Sequence, residues 1–194
     1  MEDWREYIAA VSSGLHDLAV TGPDGAALTP ADGFRRWVEL TRDGHARGQH
    51  IYLIGNGASA MMASHFAADA CKNGHLRAMA FNDASLLTAV ANDVAFADIF
   101  ALPLSRLARA GDLVIAISSS GNSPNIVRAL ESARSLNVQI VTLSGKGADN
   151  RARTFGTLNF YVPSTRYGWV ECAHQLILHY WLDQYINLHG EGAV

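Results

Sequence analysis

The sequence predicts an α/β fold: a parallel sheet of five strands with helices packed on both faces, preceded by N-terminal helices. Three observations carry this. From residue 50 onward short apolar runs alternate with helical stretches. The runs are continuously apolar, as strands buried on both faces require. Two of them end in small-residue turns that lead directly into a helix. The whole chain, 1–194, reads as one domain, with N-terminal helices over 1–48 and an α/β core over 49–188.

Taken in order, residues 2–20 place Trp4, Tyr7, Ile8, Val11, Leu15 and Leu18 at helical spacing. A turn-rich break, VTGPDGAALTPADG, follows. A second helical run then carries Phe34, Trp37, Val38 and Leu40 toward His45. Strands are expected at 50–55, 77–82, 112–118, 139–144 and 158–163. Helices are expected at about 58–72, 84–91, 96–109, 123–136 and 168–188. In such sheets ligands bind where the carboxyl ends of the strands meet their loops, so the polar residues there are the first candidates for chemistry.

Composition narrows the function. Hydrophobic residues make up 49% and charged residues 17%, a lean toward burial that points to subunit interfaces. A formal charge of −3 gives no basic footprint for nucleic acid. Cys71 and Cys172 are far apart and form no CxxC pair, which points to a reducing compartment. The opening residues lack the pattern of a signal peptide, and no apolar run approaches membrane-spanning length. The expectation is a cytoplasmic protein with no membrane partner.

The run 112–118 leads into Ser118-Ser119-Ser120-Gly121-Asn122-Ser123, and Pro124 opens a helix with Ser123 as its N-cap. Hydroxyls, close backbone approach and helix-terminal N–H groups can hold a phosphate dianion without a basic side chain. The same residues could equally form a turn that only caps its helix. The first strand ends in Gly55-Asn56-Gly57-Ala58-Ser59-Ala60, which has no P-loop lysine and lacks the third glycine of a dinucleotide fingerprint. Two such turns favour a small phosphorylated ligand over a nucleotide.

His65 and Asp69 lie four apart on one helix face. Glu171, His174, Gln175 and His179 fall on the last helix. They could bind a divalent metal or move protons, or they could be solvent-facing polar residues; His174 has a weaker claim than His179.

With these residues placed, the chain resembles the phosphoheptose isomerase branch of the sugar isomerase (SIS) domain family. The resemblance rests on GNGASA (55–60), SHFAAD (64–69), AND (91–93), AISSSGNS (116–123), TLSG (142–145) and VECAHQLILH (170–179). It implies a flavodoxin-like three-layer sandwich, a homotetramer with active sites between subunits, and interconversion of sedoheptulose 7-phosphate with an aldose heptose 7-phosphate in heptose biosynthesis. By position, Ser118, Ser119, Ser120 and Ser123 resemble the family's phosphate loop, and Asn56, Ser59, Asn92 and Asp93 its sugar contacts. The family's zinc ligands fall on His65, Asp69, Glu171 and His179. The chain departs twice from the pattern, with Asp69 for a Glu and Glu171 for a Gln. The resemblance gives the base role to the position of Asp69, alongside His179, and Glu171 could take that role if the shorter Asp69 does not reach. The alternative is a non-catalytic SIS protein that binds a sugar phosphate or a protein partner.

Overall fold

A computed structural model of the chain describes residues 3–189. Helix α1 (Trp4–His16) starts at Asp3, whose carboxylate accepts the Arg5 N–H. Strands β1 (Ala19–Thr21) and β2 (Ala27–Leu28) form a hairpin. Helix α2 (Pro30–Ala46) begins with Pro at its first turn behind Thr29, which accepts the Asp32 N–H. Then follow β3 (Ile51–Gly55), α3 (Ala58–Lys72), β4 (Ala78–Ala80), α4 (Ala84–Asp93), α5 (Ala101–Leu107), β5 (Leu113–Ser118), α6 (Pro124–Ser135), β6 (Gln139–Ser144), β7 (Leu158–Tyr161) and α7 (Tyr167–His189).

The sheet has seven strands in the order β2-β1-β7-β6-β5-β3-β4, not the five expected. The five predicted strands are all present and mutually parallel. The two additional strands come from the end of the first helical run and the break after it, and β1 pairs antiparallel with β7. With three and two residues they are too short to show a period, and the Gly and Pro around them read only as turn. Two helical boundaries also move. The first helix stops at His16, so Leu18 packs from the link to β1. The expected helix 96–109 is a 3₁₀ turn, Phe96–Asp98, followed by α5.

Alternation along the strands builds two cores. Ile51, Leu53, Leu113, Ile115, Ile117, Val141 and Leu143 face α2, α3 and α7, with Trp37, Phe66 and Trp181. Tyr52, Ile54, Val114, Ala116 and Ile140 face the other way, against α4, α5 and α6. The two core layers place helices over both faces, as a continuously apolar parallel sheet requires.

Read along the sheet, the parallel strands run β4-β3-β5-β6-β7, so chain order reverses between β3 and β5. That is the topological switch point, where a crevice opens beyond the carboxyl ends of the strands.

Candidate active site

The two small-residue turns lie at this switch point. A cavity of about 120 Å³ is lined by Asn56, Ser59, Ile117, Ser118, Ser119, Ser120, Ser123, Tyr167 and Glu171. Six residues singled out as substrate contacts are thus gathered on one concave surface: Asn56, Ser59, Ser118, Ser119, Ser120 and Ser123. The remaining two, Asn92 and Asp93, are not among its walls. They are exposed at the end of α4, where the Asn92 amide donates to Asp93 at 2.7 Å.

The turns are held by short-range sterics and by each other. A Cβ at Gly55 would fall 2.6 Å from the Ser59 backbone, so only glycine lets α3 start this close to β3. Gly121 takes a φ of +61°, and a Cβ there would overlap the Asn150 amide. Its N–H donates to the Ser118 carbonyl at 3.0 Å, closing the serine turn. Asn56 and Asn125 exchange amide hydrogen bonds of 2.9 and 2.8 Å, tying the β3–α3 turn to the start of α6. Ser123 stands at the N-cap of α6 as predicted, but its hydroxyl makes no capping bond to that helix. The Asn125 side chain takes over, accepting the Ile126 N–H at 3.0 Å. The Ser123 hydroxyl is therefore not committed to the helix it precedes.

Helices α3 and α7 both begin at this edge of the sheet and run away from it side by side. On α7, Tyr167, Glu171, Gln175 and His179 recur every four residues, so they form one stripe. The stripe starts at the cavity with Tyr167 and Glu171. Further along, the Gln175 amide lies 3.3 Å from His179 Nε2. Across from it on α3, His65 Nε2 lies 3.3 Å from Asp69, and the His65 and His179 rings are 5.7 Å apart, edge to face. Phe66 backs His179 at 4.7 Å between ring centroids.

The four residues expected to ligate zinc are thus divided. His65, Asp69 and His179 share one end of the stripe and Glu171 the other. Eight residues of helix put Glu171 and His179 about 12 Å apart along the axis. Among the described residues no group of three or more His, Cys, Asp or Glu side chains is close enough to hold a metal ion. The donor types suit zinc, but within one chain the set does not close.

His174 faces inward. It is fully buried, and its Nε2 donates to the Ser144 carbonyl at 3.2 Å. Burial pulls its pKa down to about 4, against a smaller upward effect of that hydrogen bond. It is a neutral core residue, in line with its weaker claim as a ligand.

Sequence reasoning missed Tyr167 and Asn125. Extending the α7 stripe back one turn from Glu171 would have found Tyr167. Nothing local signals Asn125, because its partner is 69 residues away.

Comparisons with known proteins agree with this geometry. The SIS domain family matches residues 26–145. A phosphoheptose isomerase from Bordetella avium is 38% identical over 150 residues, covering 73% of this chain and 76% of the relative. One from Dechloromonas aromatica is 31% identical over 182 residues, covering 90% and 92%. Among solved structures, a phosphoheptose isomerase from Neisseria gonorrhoeae superimposes with a TM-score of 0.81 at 29% identity, covering 95% of each chain. One from Francisella tularensis also gives 0.81, at 25% identity, covering 94% of this chain and 96% of that one. On sequence and on fold alike, the chain belongs to the phosphoheptose isomerase branch of the SIS domain family.

Proposed function

We infer that this chain is an aldose–ketose isomerase that converts sedoheptulose 7-phosphate to D-glycero-D-manno-heptose 7-phosphate. The observation that carries the reading is the α7 stripe, which joins a hydroxyl-lined cavity to a carboxylate–imidazole cluster. An open-chain ketose 7-phosphate has its phosphate at one end and its reacting carbons, C1 and C2, at the other. The two ends of the stripe offer the chemistry each needs.

In this reading Ser118, Ser119, Ser120 and Ser123, with the N-terminus of α6, hold the phosphate, and Asn56 and Ser59 hold the adjoining hydroxyls. Asn92 and Asp93 belong to substrate binding only if a second copy of the chain or a movement of α4 brings them to the cavity. At the far end Asp69 removes a proton from C1, His65 orients its carboxylate, and the His179 imidazole protonates or polarises the C2 oxygen. An enediol forms. Asp69, its proton exchangeable with solvent, then protonates C2 while the C1 hydroxyl gives its proton back to His179, leaving the C1 aldehyde of the aldose. Glu171 lies at the phosphate end, which supports Asp69 over Glu171 as the base in this reading.

The divalent ion, zinc foremost, would stabilise charge developing on the oxygens of C1 and C2. Because the four expected ligands do not converge in one chain, no step above depends on it. A homotetramer is consistent with the apolar side chains that α1 and α7 leave exposed: Trp4, Ile8, Leu176, Tyr180 and Leu188. No helix among the described residues is long and apolar enough to cross a membrane. The reading places the reaction in the cytoplasm, where the free thiols of Cys71 and Cys172 also fit.

The test is steady-state conversion of sedoheptulose 7-phosphate by the wild type and by Asp69→Asn. The variant should lose roughly 10²- to 10⁴-fold in kcat with little change in KM. Full activity in Asp69→Asn together with loss in Glu171→Gln would move the base to the other end of the stripe.

A further inference from the structure

The walls of the phosphate cavity carry no cation: they are serine and asparagine side chains, Ile117, Tyr167 and the Glu171 carboxylate. A sugar phosphate would bring a dianion into the same small space as Glu171. Two like charges that close, partly shielded from water, oppose each other strongly. A hydroxyl-lined site can bind phosphate, but a carboxylate in the wall calls for a compensating positive charge nearby.

Lys146 is placed to provide it. Its ammonium lies 3.3 Å from the centroid of the Tyr167 ring, and Tyr167 is one of the residues that line the cavity. Lys146 itself lines a second cavity of about 530 Å³ with Tyr161 and Trp169, so its charge reaches the phosphate site across Tyr167. No carboxylate among the described residues lies within ion-pair distance of the ammonium. The backbone around it is fixed. The Lys146 N–H donates to the Ser164 carbonyl at 2.8 Å, and its own carbonyl accepts the Tyr161 hydroxyl at 2.8 Å. The preceding Gly145 N–H donates to the Ser119 carbonyl at 3.1 Å, so this turn is bonded directly to the serine loop.

The backbone of Lys146 points the same way. It has a φ of +56°, the left-handed region that a lysine enters only against steric cost. The neighbours on both sides, Gly145 and Gly147, are glycines, and neither has a positive φ. The position that would suit glycine best is thus given to a long cationic side chain. Disfavoured backbone of this kind persists where the surroundings hold it, and it clusters at functional sites.

We propose that Lys146, seated on the Tyr167 ring, is a specificity-determining residue that selects the doubly ionised phosphate of the substrate and offsets the charge of Glu171. This rests on the reading of Ser118–Ser123 as the phosphate loop. Lys146 acts by its charge; it takes no part in the proton transfer at C1 and C2.

The experiment measures binding of sedoheptulose 7-phosphate and of inorganic phosphate to the full chain by calorimetry, at low and moderate salt. The variants are Lys146→Met, Lys146→Arg and Lys146→Gly, with KM and kcat measured alongside. Lys146→Met should weaken binding of both ligands about tenfold, flatten the salt dependence, and show its loss in KM. Lys146→Arg should recover most of the affinity. Lys146→Gly relieves the left-handed backbone, so a merely structural role predicts wild-type affinity, whereas the proposal predicts the same loss as Lys146→Met. Wild-type binding with Lys146→Met and Lys146→Gly within twofold of it would overturn the role of Lys146 and leave the phosphate loop standing. A wild-type chain that binds neither ligand would overturn the phosphate-loop reading and this proposal with it.

Discussion

At the residue scale, His174 shows how one helix serves both the core and the site. It sits one position before Gln175, yet its ring turns inward to the Ser144 carbonyl at the end of β6. Its Nδ1 has no partner among the described residues. A neutral ring is the only form that this burial accommodates, and its pKa is lowered to about 4 from an ordinary 6.5. Between these values the unfolded chain binds the proton and the folded chain does not, so stability falls as pH drops from about 6.5 toward 4. The loss attributable to this residue is about 3 kcal/mol across that window. Thermal melts of the wild type and His174→Gln between pH 7 and pH 4 check it, and the variant should show a shallower decline. Charge type and spacing made the serines, His65, Asp69 and His179 candidates, and the family resemblance joined them into one site. What spacing could not show was direction: the sequence ranked His174 below His179, but only packing separates the buried ring from the one facing His65.

At the scale of elements, the site depends on α7 lying beside α3 and over α2. Trp181 of α7 stacks on Trp37 of α2 with centroids 4.8 Å apart, and its indole N–H donates to Thr41 at 3.0 Å. The Thr41 hydroxyl in turn donates to the Trp37 carbonyl at 2.9 Å. Thr41→Val keeps the shape of the side chain but leaves the indole N–H buried without an acceptor. It should cost about 1–3 kcal/mol in denaturant unfolding, with the fold retained. The five parallel strands and the main helices were legible because each carries enough residues to show its period. The β1–β2 hairpin was not, because its strands show no period and owe their place to the free edge of β7. The Asn56–Asn125 pair was hidden for a related reason, since it joins two turns that are distant in sequence and adjacent only at the switch point.

At the scale of the whole molecule, strand order decides where the chemistry sits. Reversal of chain order between β3 and β5 opens the crevice. The turn after each of these strands supplies one wall, and α7, returning from β7, closes the third side. The sequence located both turns but not the order that brings them together, which becomes legible only once the strands are paired. The central claim is that this arrangement moves a proton between C1 and C2 of a ketose phosphate, and solvent exchange tests it most directly. The protein is incubated with sedoheptulose 7-phosphate in deuterated water and the C1–C2 protons are followed by NMR. The account predicts an aldose phosphate carrying deuterium at C2, formed at least about a hundredfold more slowly by Asp69→Asn. Substrate recovered unchanged and unlabelled, or an aldose formed with equal labelling by Asp69→Asn, would contradict it.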